Sequence, residues 1–527
     1  MAQAISAQVS SAAMCGRCLR RCAVAILLLA IYLGCVKRYL EVFGLQFVVD
    51  INRFFKGECE CLEHAEPVDS SINLDIDAAL ASLHRAVPAG EYYWPNGNGR
   101  MGQDGVSPYK GPKDLNASFL WSWHHPEGRY HTLLYGVLID DKQHIYLTTD
   151  TSMWKLSAKG ETLWSFYPEP RATIFSAASL LDGRVHFTTL DGRIWAISMD
   201  TGRQLWSVKV CDSINNDNGY VTASEGVVVA ATHAYGDGWA RANRQVRAVD
   251  ATDGSKLWAF TPDAPVWNLL ATFLGDGTVL YQDFTGKGYR HKLRDGEVIW
   301  KAGGMPGTWT DGSALLGPNG IFYTVTGDNY KLQSMWRSCP AGAPGFLSAH
   351  RVSDGQLLWK ACTPWPPHGK GTIGRLPGRG GLSVVQPGGN MGWKGAPGSV
   401  WAFDAQTGHR QWSFIAPNAK NWAQAGAEEG VEERTSAGAS GGYITTPFSA
   451  ALMDVKGIVY IGHQDGLIFA LNDVNIDGHV EGKGEVSTFQ TGAAFASSLS
   501  PAIAPGMFVI ANCDTMGVFE APDNPSA

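Results

Sequence analysis

The stretch Asp473-Val474-Asn475-Ile476-Asp477-Gly478-His479-Val480-Glu481 puts oxygen donors on alternate residues around one glycine. That spacing lets a short loop wrap a hard cation such as Ca2+, with Asp473, Asn475, Asp477 and Glu481 as the donors. Position twelve is Gly484, where a second carboxylate would complete the shell. An elaborated hairpin turn is the other reading, because Asp, Asn and Gly also bond and bend their own backbone. A second group is scattered: Arg171, Trp267, Trp309 with Asp311, and Arg375 with Arg379 all stand in polar, Gly-rich connections. An Arg, a Trp and an Asp around one cavity suit an anionic planar ligand or a general base, with Asp311 as the catalytic candidate and Arg171, Trp309 and Arg375 as ligand-binding ones. The same residue types also solvate ordinary loops. His124, His125 and His131 in WHHPEGRYH have no second ligand set at zinc spacing and do not read as a metal site.

The elements that must position these residues are repeats. SAKGETLW ends at Trp164, AISMDTGRQLW at Trp206, RAVDATDGSKLW at Trp258, HKLRDGEVIW at Trp300, SAHRVSDGQLLW at Trp359 and WAFDAQTGHRQW at Trp412. Each unit is two short strands and a tight turn in which Gly takes positive φ and Asp bonds its own backbone. Upstream of each lies a strand, turn and strand of period two, such as SLLDGRVHFTTLDG and ATFLGDGTVLYQD. The Trp recur 42 to 59 residues apart, the period of a four-stranded propeller blade. The turn Trp is expected to wedge between neighbouring blades.

Six blades carry the Trp turn, and a seventh runs from about Thr446 to Gln490 with a degenerate turn. Ser497 to Glu520 supplies three strands, and the fourth is expected at Phe119-Leu120-Trp121-Ser122-Trp123, whose Leu-Trp-Ser matches Leu163-Trp164-Ser165. Such pairing closes the ring without a free edge. The fold class is therefore all-β: an eight-bladed β-propeller of four-stranded blades with N-/C-terminal strand closure, preceded by an N-terminal membrane-anchor helix.

The Ala-x-Asp-x-x-Thr-Gly-x-x-x-Trp unit resembles the tryptophan-docking repeat of the PQQ-type, quinoprotein-like β-propellers, and WPNGNGRMGQDGVSPYKGP from Trp94 to Pro112 is similar to the lead-in before their first blade. The family holds calcium- and PQQ-dependent alcohol dehydrogenases, outer-membrane assembly scaffolds and luminal sensor domains, so fold and activity separate. Thr326-Gly327-Asp328-Asn329-Tyr330 is similar to a Thr-Gly-Asn turn near the cofactor of those enzymes. The resemblance thereby adds Asp328 as a catalytic and Asn329 as a cofactor-binding candidate, beside a plain β-turn reading. The adjacent cysteine pair that the alcohol dehydrogenases lead one to expect is absent from this chain. That departure favours a ligand- or protein-binding scaffold over the alternative, a divergent PQQ- and Ca-dependent alcohol or sugar dehydrogenase.

At the N-terminus, Arg17, Arg20 and Arg21 precede the uncharged run Cys22 to Val36, followed by Lys37 and Arg38. This pattern suits an uncleaved signal-anchor, with a cleaved signal peptide and a lipoprotein signal as rivals. The expected organisation is a cytoplasmic stretch 1–21, a signal-anchor 22–43, a stalk 44–93 with one short amphipathic helix in NLDIDAALASLHRAV, and the propeller 94–527, outside the cytoplasm or in the secretory lumen. There Asn116-Ala117-Ser118 permits glycosylation, and Cys339 and Cys362, which flank one hairpin at the same end, suit a disulfide or two buried thiols. With 62 Gly, 19 Trp, 17% charged residues and net charge -7, the chain has no basic stripe for nucleic acid. The expected partners are the membrane and a protein or small molecule at the funnel. Residues 416 to 442, Ala-, Gly- and Glu-rich, read as a surface loop.

Overall fold

The computed structural model describes residues 62–64, 76–128, 131, 133, 136–174, 176–214, 220–235, 242–327, 345–389, 398–417, 447–495 and 500–523. The chain divides into the units Met1–Glu58 and Cys59–Ala527, and every described residue belongs to the second. The expected anchor 22–43 and the insertion 418–442 lie outside the described residues, among which no helix is long and apolar enough to cross a membrane.

Eight antiparallel sheets follow one another: blade 1 (137–166), blade 2 (179–209), blade 3 (221–260), blade 4 (272–303), blade 5 (315–363), blade 6 (372–415), blade 7 (452–490) and blade 8 (502–520). Blade 8 is completed by the strand Phe119–Trp123, which pairs Trp121 with Val518 and Trp123 with Met516. The ring is thus closed by hydrogen bonds between its two ends, as the Leu-Trp-Ser match predicts. Within each blade the chain runs from the inner strand to the outer one. Connections to the next blade and the turns between second and third strands therefore share one face, here called upper. Turns between first and second and between third and fourth strands share the lower face.

The Trp turns lie on the lower face and hold consecutive blades together. Trp164 of blade 1 donates from Nε1 to the Met199 carbonyl of blade 2 at 3.0 Å, Trp258 to Leu293 at 2.8 Å and Trp300 to Val352 at 2.8 Å. Trp206 and Trp359 reach Ala251 and Ala405 at 3.3 Å. Each of the first four indoles lies flat against the turn glycine of the next blade. A Cβ on Gly254 would sit 2.7 Å from Trp206 Cε3, and one on Gly296 would sit 2.6 Å from Trp258 Cγ. The glycine thus both supplies positive φ and leaves room for the indole of the preceding blade. The wedge and the turn are one device, repeated around the ring.

The lead-in from Trp94 does more than precede the first blade, because it crosses the lower mouth of the central channel. Its backbone bonds to the inner strands in turn: Trp94 with Ile139 of blade 1, Pro95 with Leu180 of blade 2, Met101 with Phe273 of blade 4, Asp104 with Ile373 of blade 6 and Gly105 with Met453 of blade 7. Gly97 accepts from Ser500, just before the inner strand of blade 8. Its glycines permit this closeness, since a Cβ on Gly105 (φ +67°) would meet the Ala451 oxygen at 2.8 Å.

The stalk joins the same body. Helix α1 (Ile76–His84) buries Ala79 and Leu83 in the apolar cluster of blades 5 to 7. Strand β1 (Leu62–His64) adds a fifth strand to blade 5, antiparallel to Leu357–Thr363, with Leu62 opposite Ala361 and His64 opposite Trp359.

Candidate functional site

The upper-face connections bring together residues from blades 3 to 6. Asn268, Asp311 and His368 each stand four residues before an inner strand, those beginning at Thr272, Leu315 and Thr372. This shared register makes them neighbours: Asn268 Nδ2 donates to the Asp311 carbonyl at 2.8 Å, and Asp311 Oδ1 accepts from His368 Nδ1. Both members of the Asp–His pair are buried. With its proton on Nδ1, His368 keeps its lone pair on Nε2, which is buried without a hydrogen-bond partner. The Trp309 ring lies over His368 with centroids 5.0 Å apart, and Trp267 lies 5.5 Å from Trp309 at 45°. A carboxylate-oriented imidazole under an indole lid can accept a proton or a ligand's hydrogen bond.

Two residues on, the Lys370 ammonium is fully buried without a hydrogen-bond partner, and burial lowers it to about 7 against the opposing pull of Asp104. Burial in turn raises the Asp104 carboxyl above the ordinary carboxylate range. Residue type alone did not single out His368 or Lys370. The signal that finds His368 is the four-residue register before the inner strand, which it shares with Asp311, and Lys370 follows two residues on.

Trp309 and Asp311 thus fall in one cluster with His368, and other candidates fall elsewhere. Arg171 is exposed on the connection from blade 1 to blade 2. Arg375 follows the inner strand Thr372–Gly374 instead of preceding it, so it lies on the lower face, in a cavity of about 530 Å³ with His84, Arg379 and Lys456. The reason is register: the inner strand begins upstream of the Arg, and one strand length moves a side chain to the other face. Asp328 and Asn329 lie outside the described residues. A second cavity, of about 700 Å³, also opens on the lower face, between helix α1, the lead-in and the lower turns of blades 2 to 5, away from Asp311.

The Asp473–Glu481 loop is the long third turn of blade 7, and one oxygen each of Asp473, Asn475 and Asp477 faces a neighbouring N–H group, while Asp473 Oδ1 is buried without a partner. Asp473 Oδ2 pairs with Arg379 at 2.6 Å, Asn475 Oδ1 accepts from the Asp477 N–H at 2.9 Å, and Asp477 Oδ1 accepts from the His479 N–H at 2.8 Å. Glu485, which donor spacing does not reveal, accepts from the N–H groups of Val474, Asn475 and Glu481 at 3.1 Å each. The loop lies beside the outer strand of blade 6, where Ser413 and His479 form a parallel bridge. Trp412 has no turn carbonyl to meet there, and its Nε1 is buried without a partner. The loop is therefore the local substitute for Trp–Gly docking, with Arg379 supplying a positive charge beside Asp473.

Cys362 is disulfide-bonded, while Cys339 lies outside the described residues. Asn116 is exposed, and its Nδ2 donates to the Thr488 carbonyl at 2.7 Å.

Comparison with known proteins bears on the fold first. The family model described as outer membrane protein assembly factor BamB matches residues 150–308, which hold the repeats ending at Trp164, Trp206, Trp258 and Trp300. The chain is a PQQ-repeat β-propeller. Quinohemoprotein alcohol dehydrogenase ADH IIB of Pseudomonas putida is 28% identical over 218 residues, 38% of this chain and 29% of that protein. The dehydrogenase subunit of the quinone alcohol dehydrogenase of Gluconobacter oxydans is 27% identical over 210 residues, 36% and 27% of the two chains. The matched part of this propeller thus spans less than a third of these relatives. Among solved structures, a europium-containing methanol dehydrogenase superposes with a TM-score of 0.57 at 12% identity, covering 84% of this chain and 100% of that one. BamB from Moraxella catarrhalis gives 0.50 at 13% identity, covering 76% and 97%.

A calcium- and PQQ-binding centre needs several oxygen donors, cations and a flat ring surface at one point. The described residues of this propeller do not assemble one. Asp311 is bonded to His368, the Trp267–Trp309 pair is tilted, and the cation candidates Arg171 and Arg375 fall on opposite faces.

Proposed function

We propose that this PQQ-repeat propeller is a membrane-anchored scaffold, held by the apolar segment Cys22–Val36, with its body outside the cytoplasm and its blade edges offered to an extended segment of a partner protein. The observation that carries this reading is the fifth strand of blade 5: an outer edge of this ring accepts an added strand, and here the chain itself supplies it as Leu62–His64. At the position before the docking Trp, four blades without such a strand expose an apolar residue: Leu120 is 53% exposed, Leu163 46%, Leu205 51% and Ile299 41%, while Leu257 of blade 3 is half-buried and blade 6 has Gln411 there. The equivalent Leu358, on the blade that carries the fifth strand, is 6% exposed. An unpaired outer strand with an outward Leu suits strand addition, where backbone bonds give affinity and alternate side chains give specificity.

The test is site-specific photocrosslinking of the full chain in membranes, with the crosslinker at Leu163 or Leu205 and a control at the exposed lower turn residue Asp253. The expected result is one discrete protein adduct from the edge positions, absent from Asp253 and lost when Leu205→Lys is combined with a crosslinker at Ser207. Adducts equally strong from Asp253, or none from any edge of the folded chain, overturn the reading.

The second reading, a divergent dehydrogenase, is favoured by the buried Asp311–His368 pair with its unpartnered Nε2. In that case His368 takes a proton from a substrate hydroxyl while Asp311 holds the imidazole in place. Calorimetric titration of PQQ with and without Ca2+ separates the two: stoichiometric calcium-dependent binding supports the enzyme, and none by a folded sample leaves the scaffold.

A further inference from the structure

We infer that His125, Glu127 and His131 form a binding site for a borderline divalent transition-metal ion of the Zn2+ type, at the seam where the ring closes. All three stand on the upper connection from the closing strand Phe119–Trp123 to the inner strand of blade 1. One ligand atom from each lies within 4.8 Å of the others, and no other trio of His, Cys, Asp or Glu converges in this way among the described residues. His131 Nε2 and Glu127 Oε2 are 3.3 Å apart. Two ligands about 2.0–2.1 Å from a tetrahedral ion are separated by roughly that distance.

The surroundings orient the donors. Asp150, from the upper turn of blade 1, accepts from His131 Nδ1 at 2.9 Å, which fixes the proton there and aims Nε2 at Glu127. A carboxylate behind a ligating imidazole is the arrangement that holds metal-bound histidines. His125 Nε2 lies 3.3 Å from Ser152 Oγ and its Nδ1 accepts the Glu127 N–H at 3.1 Å, so ligation through Nδ1 exchanges that N–H bond for the ion. The two imidazoles lie 4.0 Å apart between centroids, with Trp154 against His125 at 5.2 Å. Glu127 is the exposed member and gives the ion a route in from solvent.

Donor chemistry selects the ion. Two imidazoles and one carboxylate suit Zn2+ and its neighbours and leave a fourth position open, whereas Ca2+ and Mg2+ require oxygen shells. Sequence spacing hides the set because Glu127 is a lone acid between the histidines and Asp150 comes from another blade. Bound there, the ion ties the closing segment to blade 1 through Asp150.

The test is calorimetric titration of Zn2+ into the metal-stripped full-length chain, with Ca2+ as contrast and Co2+ absorption as a report on geometry. The expected result is one equivalent of Zn2+ displaced by Co2+ with a tetrahedral visible spectrum, and no equivalent heat with Ca2+. Glu127→Gln, at an exposed position that does not threaten folding, weakens binding at least tenfold, and Asp150→Asn weakens it about 10- to 100-fold. No stoichiometric Zn2+ binding overturns the site. Binding of equal affinity in Glu127→Gln and His131→Gln overturns it too, because the ion then sits elsewhere.

Discussion

If the turn glycine and the preceding indole form one device, an alanine in that turn must cost more than the same alanine in a turn without an indole. Gly254 (φ +74°) and Gly320 (φ +67°) provide the pair. A Cβ on Gly254 falls 2.7 Å from Trp206 Cε3, whereas one on Gly320 meets nothing within 4 Å. Both substitutions carry the left-handed backbone penalty, about 1–2 kcal/mol. Gly254→Ala also lifts Trp206 off the turn and stretches its 3.3 Å bond to the Ala251 carbonyl. That displacement costs about 2–3 kcal/mol, a little under two thirds of the loss from deleting a buried indole. The totals are then about 3–5 kcal/mol against about 1–2 kcal/mol. With an unfolding entropy near 2.1 cal/mol/K per residue, a unit of this size loses about 1 °C per kcal/mol, so scanning calorimetry should show drops of roughly 3–5 °C and 1–2 °C. In a Trp206→Ala background the cost of Gly254→Ala falls to that of Gly320→Ala. Equal drops for the two single variants in the wild-type background would refute the docking argument.

Three further outcomes follow from the same geometry. Lys370→Met removes a buried ammonium whose titration falls from 10.5 to about 7 on folding; the cost of carrying it is full below pH 7, shrinks as pH rises from 7 to 10.5 and is absent above, so urea midpoints should show a gain on the order of 3–5 kcal/mol at pH 6.5 that is much smaller at pH 9.5. A gain that does not change with pH contradicts this. Trp300→Phe breaks a 2.8 Å bond and should cost about 1 kcal/mol more than Trp412→Phe, whose indole N–H has no partner to lose; equal costs in thermal melts would count against the difference between docking turns. Arg379→Met leaves Asp473 buried opposite an apolar chain and should destabilise by about 3 kcal/mol, whereas EGTA leaves the melting temperature unchanged; a fall on EGTA treatment would restore calcium to the blade 7 loop.

The architecture was legible because it is written in local, repeated chemistry. A Gly that must take positive φ, an Asp that bonds its own turn and a Trp four residues later are properties of short segments, so six blades and their register can be read in one dimension. Closure was legible as well, since Phe119–Trp123 carries the same Leu-Trp-Ser as an outer strand and pairs with Met516–Glu520. Function is different, because it depends on which connections meet. Asp311 and Trp309 could be named from residue type, but His368 lies 57 residues away and joins them only because blades 5 and 6 are adjacent. Arg375, grouped with Trp309 and Asp311 by residue type, lies on the other face because a one-strand offset, invisible in composition, reverses the end of a blade that a side chain occupies.

The sequence by itself determined the blade, its number and the way the ring shuts, since each rests on backbone conformation and packing within some 50 residues. Only the tertiary structure decided what the repeats surround. The lead-in crosses the channel because six separate blades present backbone partners to it there, a strand from the stalk finds the one edge of blade 5, and His125, Glu127 and His131 converge with Asp150 across the seam. Those placements depend on the closed ring, which brings residues hundreds of positions apart into contact, and no local pattern records that distance.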